Sequence, residues 1–106
     1  MKVTTLIPAR RNDGSRVSAR QRAEIIARFW QRFGGSTIEG KTQGDWIDPA
    51  DGTHYRDECW KLVVTTTPDR WPEVERLIAE VGRDLGQKAM YVEVQYFDGV
   101  RILRIE

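Results

Sequence analysis

Residues 44–58 read GDWIDPADGTHYRDE. Asp45, Asp48, Asp51, Asp57, Glu58, the single histidine His54, and the rings of Trp46 and Tyr55 all fall in this stretch. Such a density of titratable and aromatic groups can serve proton transfer, cation binding or metal ligation. It can also be no more than the polar tip of a hairpin. Gly52, followed six residues later by Glu58, matches the second half of a calcium-binding loop. Ile47 and Pro49 stand where the first half needs carboxylates, and no helix is predicted on either side. A zinc site built on His54 and Cys59 lacks paired ligand spacing, and an odd separation on one predicted strand sends the two side chains to opposite faces. The expectation is therefore no metal and no cofactor. Asp48, Asp51 and Asp45 read as turn formers.

Trp46, Tyr55 and Glu58 remain. Glu58 stands just before an apolar run, where an unpaired carboxylate is costly. One reading pairs it with a basic side chain. The other places it in a pocket with Trp46 and Tyr55, where desolvation and neighbouring charges would tune it. In that second reading Trp46 is a stacking wall, Tyr55 a polar contact and Glu58 a base or cation partner. Glu58 and Tyr55 are then the catalytic candidates, and Gln87 a supporting ligand-binding group. Arg10 and Arg11, with Arg16 and Arg20, point to an anion site near a helix N-terminus, although no Gly-rich phosphate loop accompanies them. No Ser-His-Asp or Cys-His arrangement is present.

These residues need elements to hold them. Val3 to Ile7 reads as a strand stopped by Pro8, and Asn12-Asp13-Gly14 as a turn. Ser18 is a suitable N-cap for a helix over 19–33 with apolar positions at Ala23, Ile26, Trp30 and Phe33 and with Ile25 and Phe29 alongside; Gly34-Gly35 ends it. Residues 36–66 form a hairpin around Asp48-Pro49-Ala50-Asp51-Gly52, with CWKLVVTTT as the clearest strand. A second helix opens at Thr67 or Asp69, carries Trp71, Val74, Leu77, Ile78, Val81 and Leu85 on one side, and ends at Gly86. Met90 to Phe97 is a strand, Asp98-Gly99 a hairpin turn and Val100 to Ile105 a last strand.

The order β-α-β-β-α-β is the split βαβ, or ferredoxin-like, plan of an α+β fold, with an additional C-terminal strand. With 106 residues it makes a single domain over 1–106. Two helices cover one sheet face. The other face is expected to show large residues such as Trp60, Tyr91 or Tyr96, so a homo-oligomer, dimer or trimer, is expected. No apolar run approaches the ~20 residues of a membrane span. The apolar patch of MKVTTLIPARR is too short for a signal peptide and no small-residue cleavage site follows it, and one cysteine, Cys59, favours a reducing cytoplasm.

Charge is uneven. Residues 1–41 hold nine Lys/Arg and three Asp/Glu, and the remainder eight and thirteen. A basic face can meet nucleic acid, but the first strand, VTTLI, lacks stacking aromatics and the third has only Trp60, so no specific nucleic-acid role is expected. Two functions stay open. The first is a small-ligand-binding oligomer, with or without catalysis, whose pocket lies at a subunit interface. The second is a protein-interaction module, inhibitor-like or antitoxin-like, using the basic helix 18–33.

The segments RFGGSTIEG, GDW, YRDE before a β run and LGQKAMYVEV resemble a group of small bacterial proteins of uncharacterised function, with the skeleton F-G-G-x-T, G-x-W, a glutamate before a strand and a later Gln. The resemblance runs from Arg32 to Val94 and supports the fold and the choice of positions. The plan is also similar to that of phage S-adenosylmethionine lyases. That resemblance implies oligomers of ferredoxin-like subunits with active sites between them, and a lyase-like activity as a further alternative. The tyrosine after a glycine and the glutamate before a strand in those proteins correspond here to Trp46 and Glu58. The tyrosine is thus replaced, with Tyr55 nearby.

Overall fold

A computed structural model describes residues 1–97, 101 and 103–105. The elements run β1 (Lys2–Pro8), α1 (Ala19–Phe33), β2 (Thr37–Ile47), β3 (His54–Thr65), a 3-10 turn (Pro68–Arg70), α2 (Trp71–Asp84) and β4 (Val92–Gln95). The strands form one sheet in the order β2-β3-β1-β4. All three pairings are antiparallel, which makes the chain α+β with the split βαβ arrangement.

Local chemistry explains where the helices begin and end. The Ser18 hydroxyl accepts from the Gln21 backbone N–H, satisfying an orphan donor of the first turn of α1. Gly34 closes α1 at φ 83°, a left-handed conformation that side-chain-bearing residues rarely adopt. The second helix enters through the 3-10 turn after Thr67, with Pro72 in the first turn of α2.

Both helices lie on one face of the sheet. Ile25, Phe29 and Phe33 of α1 join Val74, Leu77, Ile78 and Val81 of α2 in a single core. Val3 and Ile7 of β1 and Leu62 and Val64 of β3 close it from the sheet. The buried stripe of α1 is thus rotated from the expected one. Ala23 is exposed and Trp30 is 48% exposed, while the i, i+4, i+8 set Ile25, Phe29 and Phe33 faces inward. Trp60 is a second correction. It pairs with Ile7 across the ladder, packs against the core and carries the Arg22 guanidinium 4.2 Å from its ring centre, so it faces the helices. Tyr91 and Tyr96, 51% and 68% exposed, are indeed outside the core.

Strand β4 is shorter than the expected Met90–Phe97: it pairs with β1 only from Val92 opposite Thr5 to Gln95 opposite Lys2, where β1 begins. The Asp98-Gly99 turn and much of the strand expected over Val100 to Ile105 lie outside the described residues. Among the described residues no helix is long and apolar enough to cross a membrane.

Leu77 is 1% exposed at the centre of this core. Leu77→Ala should cost about 2–5 kcal/mol in urea denaturation, the range for cavities left by buried leucines.

Candidate functional site

The period of two along a strand sorts the β2–β3 hairpin into two sets of side chains. Leu62 and Val64 point to the helices, so Trp60 and Glu58 do too. Tyr55, Asp57, Cys59 and Val63 point to the open face. Strand β2 follows the ladder: Trp46 lies opposite Tyr55, Gly44 opposite Asp57 and Thr42 opposite Cys59. An extra residue between Ile38 and Lys41, with Gly40 at φ 115°, makes a bulge that establishes this register.

The open face carries a cleft. The rings of Trp46 and Tyr55 stack with centroids 5.2 Å apart and planes 19° from parallel. On one side of Trp46 lies an apolar well of about 300 Å³, walled by Leu6, Pro8, Cys59, Met90 and Tyr91. On its other side lies a smaller, polar hollow of about 180 Å³, bounded by Tyr55, Arg10, Arg11 and Lys88. Trp46, Asp57, Gln87 and Ala89 border both, so the two are one cleft with an apolar end and a cationic end. Gly44 forms part of the floor of the well, and a Cβ built there would meet nothing within 4 Å. The missing side chain opposite Asp57 leaves that part of the well open.

Two loops, β1–α1 and α2–β4, supply the rim, and the β2–β3 tip lies beyond it. The β1–α1 loop is tied by the Arg10–Arg16 bridge and by Asp13, whose carboxylate accepts from the Ser15 hydroxyl and backbone N–H. Those bonds hold the Asp13 carboxyl below its usual range. Arg11 is consumed within this loop, donating to the Ser15 hydroxyl, the Arg16 carbonyl and the Gln21 side chain. The β2–β3 tip is closed by Asp48 and Asp51, whose carboxylates accept from Ala50 and Thr53 N–H, as expected for turn formers. From the α2–β4 loop, Gln87 is anchored by its own N–H to the Gly82 carbonyl, and its amide donates to the Leu85 carbonyl. Lys88 donates to the Tyr55 hydroxyl at 3.4 Å, and that contact raises the ammonium above its ordinary pKa.

Of the residues singled out from the sequence, Trp46, Tyr55, Arg10, Arg11 and Gln87 meet at this cleft. Glu58 borders neither part. It lies on the helix-facing side, 3.1 Å from the Lys41 ammonium, which lowers its carboxyl pKa. Asp57, Lys88, Met90 and Cys59 complete the cleft without having been singled out as ligands. Asp57 was recoverable by counting two from Tyr55, whereas Lys88 and Met90 arrive from a distant loop that no local pattern announces. Asp45, on the helix-facing side, is spent on Arg56 and His54, which lower its pKa. Among the described residues no three His, Cys, Asp or Glu side chains converge as a metal-binding set. The basic helix is also engaged internally: Arg20 with Glu24, Arg28 with Asp84 and Arg22 on Trp60.

No protein-family model matches the chain, and no curated protein does. Among solved structures, a phage SAM lyase in complex with S-methyl-5'-thioadenosine is similar over 89% of this chain and 78% of that one, with a TM-score of 0.69 and 14% identity. At that identity the likeness shows the fold. It agrees with the similarity in plan drawn from the sequence, while the F-G-G-x-T resemblance has no counterpart among these matches.

Burial, and secondarily Asp57, push the Cys59 thiol up to about 11 from 9.0. A thiol reagent should therefore label the folded protein far more slowly than the urea-unfolded chain at about pH 8. The thiol's contribution to stability is whole below 9.0 and lost as pH rises through about 11. The stability difference between wild type and Cys59→Ala should shift over that window in pH-dependent denaturation. Glu58→Gln, by contrast, removes one exposed ion pair and should leave the melting temperature essentially unchanged.

Proposed function

We propose that the chain is a small-ligand-binding protein whose ligand inserts a planar apolar portion into the well beside Trp46. The observation that carries this reading is the cleft itself: an apolar well beside a stacked Trp–Tyr pair, continuous with a polar end. Its larger part, about 300 Å³, is at the lower limit of small-molecule sites, which run roughly 300–1,000 Å³. Apolar walls with a few converging polar groups are the usual make-up of such sites. The solved neighbour of the same fold holds S-methyl-5'-thioadenosine, and a nucleoside of that size is the first ligand class to test.

In this reading Trp46 supplies a stacking surface and Tyr55 a hydroxyl at the polar end. Gln87 offers an amide where the two parts join. The carboxylate in the cleft is Asp57, and Glu58 serves the Lys41 pair. If the site performs chemistry on an adenosyl compound, Tyr55 and Asp57 are among the titratable groups placed to take part. Self-association belongs to the same proposal. Tyr91, Phe97, Leu103 and Ile105 are exposed apolar side chains, and Tyr91 also walls the well. A second copy seated there would enclose the cleft and place it at a subunit interface. The lone thiol of Cys59 suits a reducing cytoplasm as the place of work.

Gly44→Val is the decisive variant. The added side chain has room, suits a strand and occupies the well. Calorimetric titration with S-methyl-5'-thioadenosine should show binding to wild type and a loss of at least about tenfold, or 1.4 kcal/mol, in Gly44→Val, with no fall in melting temperature. Equal binding by both proteins would place the ligand elsewhere and defeat the reading. Incubation with S-adenosylmethionine separates an enzyme from a binder, since turnover would release the thioadenosine. Light scattering at ~100 μM should give a mass above the monomer, as an interface of standard size would hold there.

A further inference from the structure

The polar end of the cleft has a charge pattern that the well alone does not explain. Several lysines and arginines elsewhere on the molecule sit on a carboxylate: Lys41 on Glu58, Arg56 on Asp45, Arg28 on Asp84 and Arg70 on Glu73. Arg10 and Lys88 both border the polar hollow. Among the described residues neither has a carboxylate oxygen within ion-pair distance. Arg10 spends one N–H on the Gly14 carbonyl, and Lys88 one on the Tyr55 hydroxyl. Among the described residues their remaining donors have no hydrogen-bond partner. The carboxylates of Glu58, for Arg10, and of Asp51 and Asp48, for Lys88, exert only a longer-range pull. Two cations from separate loops thus converge on one hollow, with Asn12 on the same rim.

We infer that the ligand of this cleft is a nucleoside phosphate, with its base in the well, its ribose at Asp57 and its phosphate held between Arg10 and Lys88. The inference rests on the reading of the well given above and adds the chemistry of the second end. A base needs flat apolar walls, which Trp46, Pro8 and Met90 supply. Asp57 lies where the two ends join, and a carboxylate there can accept both ribose hydroxyls as acidic residues do in other nucleotide sites. An arginine fork and a lysine point charge are the complementary pair for phosphate oxygens. Arg11 has a different part. Its donors hold the β1–α1 loop in shape, which keeps Arg10 at the rim. The neutral S-methyl-5'-thioadenosine would fill the well and leave these two cations without a partner, so an added phosphate should raise affinity.

The test is calorimetric titration of the full chain with adenosine 5'-monophosphate, adenosine and inorganic pyrophosphate. Each is run on wild type and on the Arg10→Gln/Lys88→Gln double variant, whose changes lie at exposed positions. Wild type should bind the monophosphate at least about tenfold more tightly than adenosine, in keeping with charge-assisted bonds. The advantage should vanish in the double variant, with adenosine affinity unchanged, and shrink as salt is raised. Adenosine binding as tightly as its monophosphate would overturn the phosphate site and leave the well standing. Pyrophosphate binding that the double variant loses, with no nucleoside bound, would keep the phosphate site and sink the well as a base pocket. Binding of none of the three would overturn both.

Discussion

The alternation of side chains along β3 governs everything else in this molecule. It is the longest strand, and it is paired along both edges, with β1 on one side and β2 on the other. Leu62 and Val64, 0% and 2% exposed, face the helices, and this choice assigns every other residue of the strand to a face. A slip of one residue would drive Lys61 into the core and bring Leu62 out, an exchange that the burial of those side chains forbids. The cleft inherits its floor from the same choice. Tyr55, Asp57 and Cys59 are on the open face because Leu62 and Val64 are not.

The faces differ in how they are stabilised. Toward the helices, the sheet gains from continuous apolar burial against α1 and α2. On the open face, Cys59 and Val63 are nearly buried without a helical layer above them, while Lys2 and Lys61 share Glu39 beside them. One end of that face is therefore a solvated ion-pair surface and the other an apolar well rimmed by loops. Loops hold most of the rim donors, while the strands hold most of the walls, with Met90 and Tyr91 added from the α2–β4 loop. That division suits recognition, since rigid strands position the flat surfaces while loops supply the charged groups.

Much of the fold can be read from local signals. Ser18 and Gly34 mark the ends of α1, Asp48-Pro49 and Asp51-Gly52 mark the hairpin tip, and the run from Cys59 to Thr65 is strand-like in any context. The facing of α1 is less legible, because Ile25 with Ile26 and Phe29 with Trp30 place apolar groups at adjacent angles, and only contact with β3 selects between them. Trp60 and Glu58 were legible by counting from Leu62, yet a ring and a carboxylate considered one at a time lead elsewhere. The Trp46–Tyr55 pair follows from the hairpin. The meeting of Lys88 with Tyr55 does not, because it depends on how the α2–β4 loop returns over the sheet, a tertiary matter with no periodic trace.

The bulge at Gly40 sets the phase of all that follows it in β2. Three steps along β2, from Ile38 to Lys41, span the distance that two steps, from Leu62 to Trp60, cover in β3. Were the alternation that starts at Ile38 to run unbroken through these same residues, Trp46 and Gly44 would turn to the helix side, and Asp45 and Gln43 would take their places beneath the cleft. In genetic terms, the loss of the one codon for Gly40 would only restore regular pairing: Trp46 would still lie opposite Tyr55, and both faces would survive. The gain of a codon between Lys41 and Trp46 is different, since it would leave the reading frame intact yet throw part of the hairpin's first arm onto the wrong face unless a new bulge absorbed it. Drift in length among descendants of this gene should accordingly be accepted around Asp48 to Thr53, and gains refused between Lys41 and Trp46.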